Sequence, residues 1–345
     1  LAEKYPVKIL VIGAAGMIGR KLVERLVTDG AIGSARITQA DLVDIVEPSA
    51  PANAPFAVTT GAADIAAPYV APKLIAGEPD AIFLLASVVS GEAESDFEKG
   101  YAINLDGTRG LFEAIRQRHL RSDGRYRPRV LFTSSIAVFG APFPEVIEDE
   151  YFPEVIEDEY FTTPLTSYGT QKAICELLLA DFSRRGFFDG IGLRLPTICV
   201  RPGRPNLAAS GFFSNIIREP LAGREAILPV AETVRHWHAS PRSAIGFLIH
   251  AATLDTAALG ARRNLTMPGV SATVGEQIEA LRKIAGEAAV GRIRREPSET
   301  IARIVAGWPT NFSAKRALAL GFEVEKNFEE IIRNHIEEEH GGKIG

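Results

Sequence analysis

Short apolar runs and amphipathic stretches alternate along the first half of the chain. Residues 7–13 (VKILVIG) are rich in β-branched side chains and stop at glycine, the pattern of a strand covered on both faces. In residues 17–30, Ile18, Leu22, Leu26 and Val27 recur at helical spacing and Gly30 is a natural stop. Further strands are expected at 35–41, 55–61, 80–87, 128–135 and 190–196, and further helices at 104–118 and 166–186. This alternation predicts an α/β fold, a Rossmann-type doubly wound parallel sheet with right-handed crossovers. Beyond Pro196 the rhythm breaks, glycine and proline become frequent, and helical patterns remain at 240–254, 274–286 and 325–339.

Residues 1–197 therefore read as a nucleotide-binding domain. Residues 198–345 read as a smaller, irregular α/β domain, mainly for substrate, with a segment near 235–260 returning to the first. Open α/β sheets bind ligands at the carboxyl ends of their strands, so the second domain is expected over that edge. PEVIEDEYF occurs twice in tandem, at 144–152 and 153–161. Nine residues fall short of the roughly 20-residue period of solenoid repeats. The acidic, proline-punctuated segment reads as a loop.

Composition narrows the function. With 46% hydrophobic and 23% charged residues, the 345-residue chain is that of a globular protein. No apolar run reaches the ~18 residues of a membrane span, and no secretory leader is visible, so the expected compartment is the cytoplasm. A net charge of −5 argues against nucleic acid as a partner, and the basic GRIRR at 291–295 reads as a solvated face. Cys175 and Cys199 form neither a disulfide framework nor a metal-ligand pattern. His236 and His238 have strand-like spacing without a metal motif, so no metal site is expected.

The candidate chemistry begins at the first strand-to-helix turn. Gly13 permits the tight turn, Gly16 lets the backbone approach a pyrophosphate, and Gly19 lets the helix pack on the strand. The helix N-terminus then offers N–H groups and partial positive charge to phosphates. Asp41, ending the second strand, is placed to bond a ribose 2′-hydroxyl and repel a 2′-phosphate, which favours NAD over NADP; Asp44 competes for that role but lies beyond the expected strand end. Asp64, after the third strand, is a candidate for the adenine amine. Tyr168 and Lys172 share one helix face at i and i+4. A neighbouring ammonium would lower the tyrosine's pKa toward that of a useful base, and Lys172 could also hold the nicotinamide ribose. Ser135, at the end of the fifth strand, could orient a substrate oxygen.

These features resemble the extended short-chain dehydrogenase/reductases, the NAD-dependent epimerase/dehydratase family. The likeness rests on GAAGMIG at 13–19, the Asp41 strand end, LAS at 85–87, NLDGT at 104–108, TSSIAVFG at 133–140 and YGTQK at 168–172. It implies NAD as cofactor and Ser135, Tyr168 and Lys172 as the catalytic set, with Tyr168 as acid/base. It implies cofactor contacts from Met17, Ile18, Ile65, Leu85, Ala86 and Ser87, with Ser87 also at the substrate, and a supporting role for Asn104. The gap from Ser135 to Tyr168 is wider than the family's, and removing one nine-residue copy of the tandem segment restores it.

Departures from the family pattern sharpen the reading. Ile136 and Ala137 follow Ser135 where sugar-nucleotide dehydratases carry an acidic pair, so water elimination is not expected. The arginine-rich stretches at 201–214 and 235–244 resemble a branch whose members oxidise the 2-hydroxyl of a four-carbon sugar acid, D-erythronate, with NAD. Arg201 and Arg242 are the candidates for the substrate carboxylate, which suits a planar guanidinium fork. A diphosphate would suit the same fork, so a nucleotide-sugar 4-epimerase or reductase remains the alternative reading, and a non-catalytic dinucleotide sensor a third. Family members often dimerise through the helices at 104–118 and 166–185. The apolar stripe Ile174, Leu177, Leu178 and Leu179 is compatible with a homodimer.

Overall fold

The computed structural model describes residues 6–141, 155–203 and 210–343. Its first strand, β1 (Pro6–Ile12), is apolar on both faces and is covered on both. Ile9 and Val11 pack with Leu22 and Leu26 of α1 (Met17–Asp29) and with Ala244 and Leu248 further along the chain. Leu10 and Ile12 point the other way, against Leu111, Phe112, Cys175 and Leu179. The two-residue period of a strand sorts the side chains into two cores, and each buried Leu or Ile stabilises the fold by about 1.5–3 kcal/mol. Gly30 ends α1 in the left-handed conformation, its N–H donating to the Leu26 carbonyl.

The sheet continues through β2 (Ala35–Asp44), β3 (Ala57–Ala62), β4 (Ala81–Leu84), β5 (Arg129–Ser135) and β6 (Asp189–Leu195). Helices α2 (Thr108–Arg121) and α3 (Ser167–Arg184) cover one face. The spatial order is 3-2-1-4-5-6, all parallel, and residues 264–266 add a further parallel strand beside β6. The crevice of such a sheet opens at the carboxyl ends of β1 and β4, where the strand order reverses.

After β6 the chain crosses that edge. β7 (Thr197–Ile198) pairs in parallel with β8 (Arg235–Ala239), which pairs antiparallel with β9 (Val270–Thr273). A second hydrophobic cluster gathers Phe213, Ile216, Ile278, Leu281, Ile331 and Ile332. Between its parts the helix at Pro241–Thr253 returns to the main sheet, burying Phe247 and Leu248 against the α1 face.

Three local expectations change. The second strand runs on to Asp44, because pairing with β1 and β3 on either side extends it. Asn104 lies in a π-helical turn at Tyr101–Gly107 that leads into α2. The second copy of the tandem segment is not simply a loop. Ile156–Glu157 pairs with Phe312–Ser313, Ile156 is buried, and the Asp158 carboxylate accepts the Thr266 N–H at 2.7 Å. The first copy lies outside the described residues. Asp158 belongs to a buried ionic cluster: Arg194 binds Glu176 at 2.8 Å and approaches Asp158 at 3.9 Å, and Arg316 approaches Asp158 at 3.5 Å.

Candidate active site

The turn after β1 is shaped by what a side chain would strike. Gly13 has φ +98°, and a Cβ there would lie 2.5 Å from the Ala86 nitrogen. A Cβ on Gly19 would collide with the Gly13 carbonyl oxygen. Gly16 sits at the N-cap of α1 without a side-chain cap, so the first-turn N–H groups are left for a ligand. Arg20 projects from that turn and lines the same cavity, a cation beside the cradle that the motif reading did not single out.

At the neighbouring strand end stands Asp44. Its carboxylate accepts the N–H of Ala15 at 2.9 Å and that of Ile45 at 2.7 Å. Asp41 lies opposite Leu10, below the tip of β1, and its carboxylate is engaged by Gln39 and Thr59. The acid that meets the glycine turn is therefore Asp44 rather than Asp41, because the strand runs longer than expected. An uncapped helix N-terminus, a glycine cradle and an acid at the next strand end together fit NAD.

The second half of the site depends on the close approach of α3 to the end of β5. Thr166 caps α3, its hydroxyl accepting the Gly169 N–H at 3.0 Å. A Cβ on Gly169 would strike the Ala137 carbonyl, so glycine here lets the helix start abut the segment just after Ser135. Tyr168 and Ser135 thereby face one cavity. Lys172 Nζ donates to the Thr133 carbonyl at 2.8 Å and lies 5.6 Å from the centre of the Tyr168 ring. Burial pushes the Tyr168 phenol up, while Ser87, the Arg201 guanidinium and Ser135 pull it back. Burial pulls the Lys172 ammonium down to about 8, opposed by Cys175 and Glu176. The Lys172 ammonium is bonded to the strand carbonyl while lying over the Tyr168 ring, and Arg201 adds positive charge that favours the phenolate.

Arg201 is largely desolvated, which lowers its pKa. Its Nε donates to the Ile198 carbonyl at 3.1 Å and its Nη2 to Ser210 at 3.3 Å, and it has no carboxylate partner among the described residues. Arg218, also at the cavity, is already neutralised by Glu219 at 2.7 Å. Arg242 is elsewhere. It sits on the surface, paired with Glu337 at 2.7 Å and Glu338 at 2.8 Å, and does not line the cavity.

One cavity of about 850 Å³ runs from the glycine turn to the second domain. Of the residues expected from sequence, Gly13, Gly16, Met17, Ile18, Gly19, Leu85 and Ser87 line the end near the glycine turn. Ser135, Tyr168, Lys172 and Arg201 line the rest. Asn104 stands behind this wall. Its side-chain oxygen accepts Ser87 Oγ at 2.9 Å and the Val88 N–H at 2.8 Å, and its amide donates to Gln171 at 2.7 Å. Ala86 backs the glycine turn, Ile65 is buried against Gly107, and the Asp64 carboxylate accepts the Ala66 N–H at 2.9 Å; none of the three lines the cavity. His236 and Thr197 also line the cavity, bonded to each other at 2.8 Å. The sequence signal for His236 was its alternation with His238, and nothing local linked it to Thr197.

Residues 9–239 match the model of the NAD dependent epimerase/dehydratase family. The chain belongs to that family. It is accordingly an NAD-dependent enzyme on a Rossmann-type sheet. It is 43% identical over 334 residues to a D-erythronate dehydrogenase of Cupriavidus necator, covering 96% of this chain and 98% of the relative. It is 41% identical over 330 residues to a D-erythronate dehydrogenase of Haemophilus influenzae, covering 96% and 99%. A crystal structure named as the nucleoside-diphosphate-sugar epimerase from Agrobacterium tumefaciens superimposes with a TM-score of 0.94 at 62% identity, covering 100% of this chain and 98% of that one.

Proposed function

We propose that the protein oxidises the C2 hydroxyl of D-erythronate, or of a close relative, to the 2-oxo acid with NAD. The observation that carries this reading is the half-buried Arg201, which lines the same cavity as Tyr168 and has no carboxylate partner among the described residues. In a 2-hydroxy acid the carboxylate is bonded to the carbon that reacts, so its cation must stand beside the catalytic base. The names of the two dehydrogenase relatives support the same substrate.

Gly13, Gly16 and Gly19 would cradle the pyrophosphate, Asp44 would take the adenosine ribose, and Asp64 and Ile65 would flank the adenine. Leu85, Ala86 and Ser87 would follow the dinucleotide toward Lys172 at the nicotinamide ribose. Bound NAD supplies the hydride acceptor. Arg201 holds the substrate carboxylate and favours the Tyr168 phenolate. Ser135 donates to the reacting oxygen, and Ser87, whose proton goes to the Asn104 side-chain oxygen, is left to accept from the substrate. Tyr168 takes the hydroxyl proton as the C2–H bond breaks and the carbon–oxygen double bond forms.

The alternative, in which the arginines hold a nucleotide diphosphate, shares its name with the Agrobacterium structure but is not favoured by the two dehydrogenase relatives. One experiment separates the two readings: NADH absorbance is followed with NAD and erythronate, threonate or longer aldonates, with Tyr168→Phe as blank. Turnover of erythronate that disappears in Tyr168→Phe is expected. No turnover of any acid, with NAD retained on the purified protein, would replace this reading with the nucleotide-sugar one.

The protein is further proposed to be a cytoplasmic homodimer joined through α2 and α3. Leu179 of the apolar stripe is used up in the core, but Leu177 is 71% exposed on α3 and would be covered by a second copy. Sedimentation equilibrium checks the mass. The two free, buried cysteines suit a reducing compartment.

A further inference from the structure

The substrate end of the cavity holds a hydroxyl whose hydrogen-bonding role is already assigned. His236 is buried between the Phe213 ring, stacked at 5.4 Å, and Trp308 at 5.1 Å. Its Nδ1 lies 3.0 Å from the Pro309 carbonyl oxygen. A carbonyl can only accept, so Nδ1 carries the proton. Burial pulls this imidazole down to about 4, so near neutral pH the ring is uncharged and Nε2 has only a lone pair. Nε2 is 2.8 Å from Thr197 Oγ1. The threonine proton must point at the histidine, and the threonine oxygen then has only lone pairs left to offer the cavity.

An acceptor in this position repels a carboxylate and binds a hydroxyl donor. Arg201 is tied to the same short strand, its Nε donating to the carbonyl of Ile198, the residue after Thr197. One two-residue strand thus carries a cation for the acid group and an acceptor for a hydroxyl. We propose that Thr197, oriented by His236, is the specificity-determining residue that selects an acid carrying further hydroxyls over a plain 2-hydroxy acid. This rests on the dehydrogenase reading above and extends it beyond the reacting carbon. The physical basis is asymmetric: a buried group built to bond a substrate hydroxyl is left unpaired by an analogue lacking it, whereas an apolar wall would accept both.

The test compares kcat/KM for D-erythronate with that for 2-hydroxybutanoate of the same C2 configuration, which keeps the acid and the reacting hydroxyl and lacks the other two. The unsubstituted protein is expected to favour erythronate. Thr197→Val, which keeps shape and loses the acceptor, is expected to shrink that preference about tenfold or more. Thr197→Ser is expected to retain it. His236→Phe keeps an aromatic ring and frees the threonine proton to turn, and is expected to weaken the preference. NAD binding, read by tryptophan fluorescence, identifies variants that fold. Equal kcat/KM for the two acids in the unsubstituted protein, or equal losses for both in Thr197→Val, would overturn the inference while leaving the dehydrogenase intact. If Thr197→Val does not fold, the unsubstituted protein and Thr197→Ser decide the matter. Turnover of neither acid by the unsubstituted protein would overturn the dehydrogenase reading and this inference with it.

Discussion

The Asp44 carboxylate accepts the backbone N–H of Ala15 at 2.9 Å, tying the end of the second strand to the glycine turn of the first. Asp44→Asn is therefore expected to weaken NAD binding about tenfold and to narrow the preference over NADP, because a neutral amide no longer repels a 2′-phosphate. Asp41→Asn is expected to leave both affinities unchanged. Titration of the two cofactors by fluorescence checks both variants.

Tyr168→Phe removes the proposed proton acceptor while keeping the ring. Its kcat is expected to fall by at least about 100-fold, with NAD affinity retained. Lys172→Met is expected to lose both turnover and cofactor affinity. Equal loss of NAD binding in both variants would show that Tyr168 acts structurally.

Arg201 and Arg242 are expected to part company. Arg201→Lys keeps the charge but loses the fork, and KM for the acid should rise about tenfold. Arg242→Gln breaks only surface ion pairs to Glu337 and Glu338. It should leave KM unchanged and cost less than about 1 kcal/mol in stability.

Stability should fall with acid below neutrality. His236 and His335 are buried, which pulls each to about 4 in the folded chain from an ordinary 6.5. Between those values the unfolded chain binds more protons, so stability is fully present above pH 6.5 and is lost as pH falls through 4. Each histidine would contribute on the order of 3 kcal/mol to that loss. Urea midpoints measured from pH 7 to pH 4 should show the decline, and His335→Leu should flatten it. An unchanged slope in that variant would remove His335 from the account.

Glu176 holds the buried cluster behind the end of β5, accepting Ser134 Oγ at 2.6 Å and Arg194 Nη2 at 2.8 Å. Glu176→Gln leaves Arg194 short of charge in a dry environment and is expected to destabilise the fold by about 3–5 kcal/mol. Thermal unfolding with and without NAD measures it.

Much of this protein was legible in its residue pattern, because strand and helix periodicity are properties of neighbouring positions. The two faces of β1, the stop at Gly30 and the glycine turn at 13–19 all follow from short windows. So does the shared face of Tyr168 and Lys172 on one helix. What the sequence by itself determined was the parallel sheet, the glycine turn and the helix that carries Tyr168 and Lys172.

Tertiary structure decided the rest. Asp44 rather than Asp41 meets the turn because β1 and β3 extend the strand between them. Arg242 is spent on Glu337, 95 positions away, and no spacing rule joins them. Thr197 and His236 stand 39 positions apart and meet only because β7 and β8 pair in parallel. A one-dimensional pattern states which side chains share a face. Which faces meet, and which charges are left unpaired there, is set by packing between segments distant in the chain.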